Sequence, residues 1–252
     1  MLMKEQTKTE IAALLQDIVL NAAKRTKANL KTDLKPFHTA LLGPEIIKLS
    51  SFERSFSTSF GQKYVEEIAR ILALASGAKA ERQKETVVSL YQGANDEIEN
   101  IIDALKSNKS KPDWASELIY IAAHNKGRTL SRKIISDLWM ERDGEEHFFS
   151  IKTVKPNLDQ TRIAKQDILL LKAHDPAYKT YFALYYNPTG ETQSDYTVST
   201  PNKYFDMKHD SCVLIGKDFW DFVGGSGTYG ELLEIFDQVG EQTIEQVKQM
   251  KL

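Results

Sequence analysis

The sequence predicts an α/β protein, with a mixed β-sheet core flanked by helices and preceded by a mainly helical N-terminal part. Apolar residues recur at helical spacing through most of the first hundred residues, whereas β-prone runs mixed with helical ones begin only after residue 113. A polar, lysine-rich run broken by a proline, residues 107–113, separates the two patterns. We therefore expect a helical region over residues 1–112 and an α/β core over residues 113–252.

The helical region contains segments with an amphipathic pattern at residues 9–25, 63–76 and 95–106. Pro36 and Pro44 interrupt the pattern between the first two segments, so we expect the chain to break there.

The α/β region reads, in order, as a helix, a β-hairpin, a helix, a strand, and a strand followed by a helix that two glycines close. These segments lie at residues 117–128, 133–154, 158–173, 180–190 and 211–225. From residue 229 the chain is amphipathic and acidic.

Composition excludes several classes of protein. With 33 Lys and Arg against 35 Asp and Glu, the formal net charge of -2 excludes a uniformly basic nucleic-acid coat protein but allows a local basic cleft. Cys212 is the only cysteine, which excludes an intramolecular disulfide and a Cys-rich zinc site. No apolar run reaches the roughly 18 residues of a membrane span. We expect a cytoplasmic protein without a membrane segment.

The hairpin carries the residues of greatest chemical interest. Asp143-Gly144 between two β-prone runs indicates a tight two-residue turn, which fixes the register of the strands. Counting outward, Trp139 faces Phe148 and Asp137 faces Ser150. Strand alternation then places Asp137, Ser150 and Lys152 on one face of the sheet.

One carboxylate, one hydroxyl and one ammonium group therefore converge at the far end of the hairpin. Oxygen ligands of this kind hold a hard cation such as Mg²⁺, and a neighbouring lysine orients the attacking water or offsets charge in the transition state. The arrangement suits metal-assisted phosphodiester hydrolysis. The alternative is an ordinary surface hairpin with a cross-strand Asp–Lys pair.

Basic residues flank the hairpin on both sides along the chain. Arg and Lys neutralise phosphates, while Asn and Gln can contact base edges, so both flanking runs are candidate DNA-binding segments. A solvated charged surface is the alternative for each run. The candidate residues are Arg128, Arg132 and Lys133 before the turn, and Lys155, Asn157, Gln160, Arg162 and Lys165 after it.

The stretch SDLWMERDGEEHFFSIKTVKPN resembles the catalytic hairpin of PD-(D/E)xK nucleases, and more closely that of type II restriction endonucleases of the TdeIII kind. Three further stretches carry the narrower resemblance: PFHTALLGPEIIKLSSFERSFSTSFGQ, KTVKPNLDQ and IGKDFWDFVGGSGTYGELLEIF. Together the stretches lie between residues 36 and 240. In this resemblance Asp137 matches the motif aspartate, a metal ligand. Lys152 matches the motif lysine, and Ile151 offers its backbone carbonyl to the metal.

The resemblance implies a Mg²⁺-dependent endonuclease that cuts double-stranded DNA at a short palindrome, with a GGNCC-like target. A cognate DNA methyltransferase acting on the same site is the expected partner. We expect a homodimer, because cleavage of both strands at a palindrome needs two hairpins related by a two-fold axis. The helices before residue 110 are the candidate dimer interface, since the catalytic core begins after them.

Two positions depart from the motif. Ser136 replaces a proline that only shapes the strand. Ser150 replaces Asp or Glu, and a hydroxyl is a poorer metal ligand without negative charge. Glu67 is the candidate compensating acid, because it flanks the apolar stripe of its helix while Glu66 and Arg70 are expected to point outward.

Three other functions stay open. Ser150 fits a DNA-binding protein with a degenerate, inactive nuclease fold. A structure-specific nuclease such as a junction resolvase would share the hairpin but recognise branched DNA by shape. In a helical scaffold protein the hairpin would be merely structural, which leaves the flanking basic runs unexplained.

Overall fold

The chain forms two compact units, which are described separately. The computed structural model describes residues 3–30 and 35–249. One unit combines Met1–Ile71 with Gly227–Leu252, and the other is Leu72–Ser226. No helix in the described ranges is long and apolar enough to cross a membrane.

The elements confirm the predicted α/β class. The helices are α1 (Glu5–Asn29), α2 (Pro36–Leu42), α3 (Pro44–Ser59), α4 (Val65–Ala75), α5 (Gln92–Lys106), α6 (Trp114–Ala123), α7 (Leu158–His174), α8 (Lys217–Gly224) and α9 (Thr228–Gln249). The strands are β1 (Lys79–Tyr91), β2 (Thr129–Arg142), β3 (Glu145–Lys152), β4 (Lys179–Leu184) and β5 (Val213–Ile215).

Packing of α1 against α3 and α9 forms the first unit. The buried side chains of α1 recur at helical spacing, with Ile11, Leu15, Ile18 and Ala22 facing inward. This periodicity is the signal that predicted the helix from sequence.

The two prolines that mark a break in the sequence each stand at the start of a helix. Pro36 opens α2 and Pro44 opens α3, where a proline is tolerated because the first helical turn needs no amide donor. Residues 31–34, the remainder of that break, lie outside the described residues.

A five-stranded sheet in the order β1-β2-β3-β4-β5 is the core of the second unit. The pairs β1–β2 and β2–β3 are antiparallel, whereas β4 pairs parallel with β3 and with β5. β1 lies in the region expected to be helical, and it pairs with β2 from Lys79–Glu141 to Tyr91–Thr129. Because of this pairing, β1 and α5 belong to the same unit as the hairpin, and the compact units do not divide after residue 112.

The β2–β3 hairpin has the predicted turn and register. Asp143 and Gly144 have φ angles of 53° and 79°, the positive values that both central residues of a type I′ turn require. Arg142 pairs with Glu145 and Trp139 with Phe148, as the residue count predicts. Backbone pairing ends at Leu138–Phe149, one residue before Asp137.

Helices cover the sheet. The main core cluster joins Phe148 and Phe182 of the sheet to apolar side chains of α5, α6 and α7. The next residue of β3, Phe149, instead packs against Phe219 and Phe222 of α8. This alternation along β3 is typical of a strand that is covered on both faces.

Lys165 of α7 lies inside this core and not on the surface. Its side chain is 0% exposed, and its Nζ lies 2.5 Å from a carboxylate oxygen of Glu117 on α6. The rings of Trp114 and Phe205 lie 5.0 and 4.8 Å from the same nitrogen. Lys165 is therefore not available to a DNA phosphate, which corrects its inclusion among the candidate DNA-binding residues.

We expect Lys165→Met to lower the free energy of unfolding by about 3–5 kcal/mol, because it leaves the Glu117 carboxylate buried without a counter-charge. Urea unfolding followed by circular dichroism measures the change. The double variant Lys165→Met/Glu117→Leu removes both charges and should recover most of the loss.

The matched control is Lys155→Met, at an exposed lysine near the start of the same helix, which should leave stability unchanged. Equal stability of Lys165→Met and wild type would contradict a structural role for the buried pair.

Candidate active site

The side chain of Asp137 joins the two strands of the hairpin where their backbone pairing ends. Its Oδ2 accepts hydrogen bonds from the backbone amide of Ile151 and from Nζ of Lys152, each at 2.7 Å. The carboxylate and the lysine predicted from sequence are thus in direct contact. Both side chains remain partly accessible, with 19% of Asp137 and 23% of Lys152 exposed.

Lys152 also contacts the third predicted group of the site. Its Nζ donates to the backbone carbonyl of Ile151 at 3.2 Å. The ammonium therefore bridges the carboxylate of Asp137 and the carbonyl of Ile151, the two oxygen groups that the motif resemblance assigns to a metal.

Ser150 occupies the position of the missing motif acid. It lies half-buried on β3, in register with Phe182 of the neighbouring strand β4. A hydroxyl at this position supplies an oxygen but no charge.

Asp167 of α7 is an acid that the sequence analysis did not consider, and the charges of Asp137 and Lys152 influence it. It is half-buried, and burial raises the pKa of its carboxyl to about 6. The charge of Lys152 opposes this rise and the charge of Asp137 adds to it, so Asp167 lies within electrostatic reach of both residues.

A signal for Asp167 was present in the sequence. On α7 it follows Ala164 by three residues and precedes Leu171 by four, and both of these residues are buried. Positions three and four apart share one face of a helix. Asp167 is thus an acid within an apolar helical stripe, the kind of polar residue whose burial demands a partner.

Glu67, the acid proposed from sequence, lies on α4 in the first unit and forms an ion pair with an arginine. Its Oε1 lies 2.6 Å from Nη2 of Arg70, one turn along the same helix. The expected orientation of its neighbours is wrong: Glu66 is buried, and Arg70 is half-buried. Val65, Ile68 and Leu72 of α4 are also buried, so the inward face of this helix includes Glu66.

Three candidate DNA-binding residues before the turn are exposed and have polar partners. Arg128 donates to Gln92 at 3.4 Å, Arg132 donates to Asn95 at 3.1 Å, and Lys133 lies 2.6 Å from Glu85. Exposed pairs of this kind contribute little to stability, so these cations can exchange their partners for phosphates at low cost.

Two of the candidate residues after the hairpin cap α7. The Asn157 side chain accepts from the amide of Gln160 at 2.8 Å, and the Gln160 side chain accepts from the amide of Asn157 at 3.2 Å. This reciprocal capping box satisfies two amides of the first helical turn. Among the remaining candidates, Lys155 is exposed and Arg162 is half-buried beside Gln166.

The donor set suits a hard divalent cation. Two carboxylates, a backbone carbonyl and a hydroxyl come from Asp137, Asp167, Ile151 and Ser150. Mg²⁺ is usually held by one or two carboxylates and completes its shell with waters and substrate phosphates. The described residues contain no cluster of three or more His, Cys, Asp or Glu side chains arranged to hold a metal by themselves. The residues present therefore fit a cation shared with DNA better than a closed protein cage.

Comparison with known proteins identifies the family. A family model described as type II restriction endonuclease, HinfI, matches residues 3–240. The type II restriction enzyme HgiCII of Herpetosiphon aurantiacus is 36% identical over 218 residues, which cover 82% of this chain and 78% of that protein. HgiEI of the same organism is 36% identical over 217 residues, with the same coverage of both chains.

A more distant relative is the type II restriction enzyme MjaII of Methanocaldococcus jannaschii, 26% identical over 246 residues, which cover 84% of this chain and 64% of that protein. These matches confirm the resemblance to type II restriction endonucleases, and the matching family is HinfI where the motifs had suggested a likeness to TdeIII. The chain belongs to the HinfI family of type II restriction endonucleases.

Proposed function

We propose that this chain hydrolyses phosphodiester bonds of double-stranded DNA with a divalent cation, Mg²⁺, bound by Asp137 and Asp167 beside Lys152. The observation that carries the proposal is the pair of hydrogen bonds that hold the Asp137 carboxylate. One oxygen of this carboxylate is held by Ile151 and Lys152, so that oxygen has a fixed position at the open end of the hairpin. A preorganised carboxylate next to a lysine is what metal-assisted hydrolysis needs.

Each residue has a distinct part in this proposal. Asp137 and the carbonyl of Ile151 hold the cation, and Asp167 supplies the second negative charge that Ser150 lacks. Lys152 orients the attacking water and offsets the charge that develops on the phosphate. The chemistry supplied by a bound Mg²⁺ is polarisation of the scissile phosphate and a lowered pKa of the attacking water.

DNA would be held mainly through its backbone by the exposed basic residues around the hairpin. Arg128, Arg132 and Lys133 lie on one side of the turn along the chain, and Lys155 and Arg162 lie on the other. Phosphate contacts of this kind position the duplex without reading its sequence. The capping hydrogen bonds of Asn157 and Gln160 use only their side-chain oxygens, so the amide NH2 groups would donate to base edges in the roles that the sequence suggested.

The motif resemblance suggests a GGNCC-like palindrome as the target. A methyltransferase acting on the same sequence would protect the host DNA, and the cytoplasm is where enzyme, methyltransferase and DNA would meet. Ser150 favours one rival function, a DNA-binding protein with an inactive nuclease fold. The test is a digest of methylation-free DNA that carries all GGNCC variants, over a range of Mg²⁺ and Mn²⁺ concentrations.

Discrete bands in that digest support a site-specific endonuclease. Binding without any cleavage favours the inactive fold, and cleavage of branched DNA irrespective of sequence favours a structure-specific nuclease.

Asp137→Ala and Lys152→Ala should each lower the cleavage rate by about 100-fold or more, because each removes a group that acts on the charge developing at the phosphate. The measurement is single-turnover cleavage of a duplex oligonucleotide. Circular dichroism and DNA binding without divalent metal serve as controls for folding. Full activity in either folded variant would exclude the proposed site.

The compensating acid is identified by comparing Asp167→Asn with Glu67→Gln. Asp167→Asn should lose most of the cleavage but keep DNA binding, because it removes a charge near Asp137 while conserving the shape of the side chain. Glu67→Gln should remain active, and Ser150→Ala should cost less than Asp137→Ala. An inactive Glu67→Gln enzyme together with an active Asp167→Asn enzyme would assign the role to Glu67.

We expect the active enzyme to be a homodimer, because each chain has one catalytic hairpin and a palindrome presents two equivalent phosphates. Analytical ultracentrifugation with and without a duplex containing the target measures the assembly. A protein that sediments as a monomer under both conditions, while cleaving both strands, would contradict this expectation.

A further inference from the structure

Gln83 of β1 has an unusual backbone conformation. Its φ of 51° lies in the left-handed region, although it is not glycine and stands within a strand. The other non-glycine residues with positive φ in the described ranges are Asn108 and Asp143, and both lie in turns. Asn and Asp tolerate this region through local hydrogen bonds of a short side chain, and glutamine has no such advantage.

This strained residue stands directly opposite the proposed metal ligand. Arg82 pairs with Leu138 and Lys84 with Ser136, so the residue across from Gln83 is Asp137. Strained backbone of this kind persists only where the surrounding structure enforces it, and it concentrates at functional sites.

The side chain of Gln83 contacts the carboxylate oxygen that the hairpin leaves available. Its Nε2 lies 3.5 Å from Oδ1 of Asp137, whereas Ile151 and Lys152 both donate to Oδ2. A carboxylate held at one oxygen can still swing its other oxygen, because the terminal χ2 torsion of aspartate has a broad energy profile. A donor beside the second oxygen restricts the plane of the whole group.

We propose that Gln83 is a positioning residue that sets the orientation of Asp137 Oδ1 for cation binding, and that the left-handed backbone at residue 83 exists to aim its amide. This inference rests on the proposed role of Asp137 as a metal ligand. Outer groups that orient a ligand typically change metal affinity or activity by about 10- to 100-fold when they are removed.

Two substitutions separate the amide from the strain. Gln83→Met keeps a side chain of similar length but removes the donor, so the thermal midpoint of unfolding should stay unchanged. Cleavage under single-turnover conditions should slow by about 10-fold or more, and half-maximal activity should need a higher Mg²⁺ concentration. Gln83→Gly removes donor and strain together. It should raise the thermal midpoint by about 3 °C and slow cleavage to the same extent.

Asp143→Gly is the matched control, because it replaces another left-handed residue at the turn end of the hairpin, away from Asp137. It should leave cleavage and its Mg²⁺ dependence unchanged. DNA affinity measured without metal should be the same in all of these variants, because a positioning residue acts on the cation site and not on the phosphate contacts.

A measurement on the DNA complex in Ca²⁺ provides the readout that is independent of activity. The rise in thermal midpoint on adding Ca²⁺ to the protein bound to a duplex should be smaller in Gln83→Met and Gln83→Gly than in wild type, and absent in Asp137→Ala. Wild-type cleavage and metal response in Gln83→Met would overturn the inference, as would a loss confined to DNA affinity. Retained cleavage in Asp137→Ala would instead refute the proposed metal site, so the two failures are distinguishable.

Discussion

The hydrogen bond from the Ile151 amide to the Asp137 carboxylate is the contact on which the geometry of the site depends. Backbone pairing between β2 and β3 stops at Leu138–Phe149, and this side chain takes over as the link between the strands. Lys152 is the next residue along β3, so the same contact brings its ammonium to the carboxylate. The turn register therefore places the acid and the lysine on the same face of the sheet, within reach of each other.

Helix α7 carries two charged residues, Lys165 and Asp167, that lie in different environments. Lys165 and Asp167 are two positions apart, which places them on roughly opposite sides of a helix with 3.6 residues per turn. Lys165 enters the apolar core and is neutralised by Glu117, whereas Asp167 lies near Asp137 and Lys152. Because Lys165 and the apolar side chains of α7 pack in the core, Asp167 lies at the edge of that buried surface and is only half-buried.

The proposed cation site has few negatively charged ligands. Ser150 provides an oxygen where the motif has a carboxylate, and the described residues contain no cluster of three acids around the hairpin. A cation held by few protein ligands depends on substrate phosphate to complete its coordination. In the proposed mechanism such a site couples metal binding to DNA binding, because the phosphate would be both ligand and substrate.

The sequence by itself determined the local features: α1, the hairpin with its type I′ turn, the register of Trp139 and Phe148, and hence the meeting of Asp137 with Lys152. These depend on residues close along the chain, where periodicity and turn chemistry act directly. Only the tertiary structure decided that β1 is a strand, that Lys165 is buried, and that Asp167 lies within electrostatic reach of Asp137 and Lys152. The cause is physical. The charged segment that forms β1 has only a weak local structural preference, and its pairing with β2 overrides that preference. Contacts between segments that are distant along the chain decide which face of α7 packs in the core.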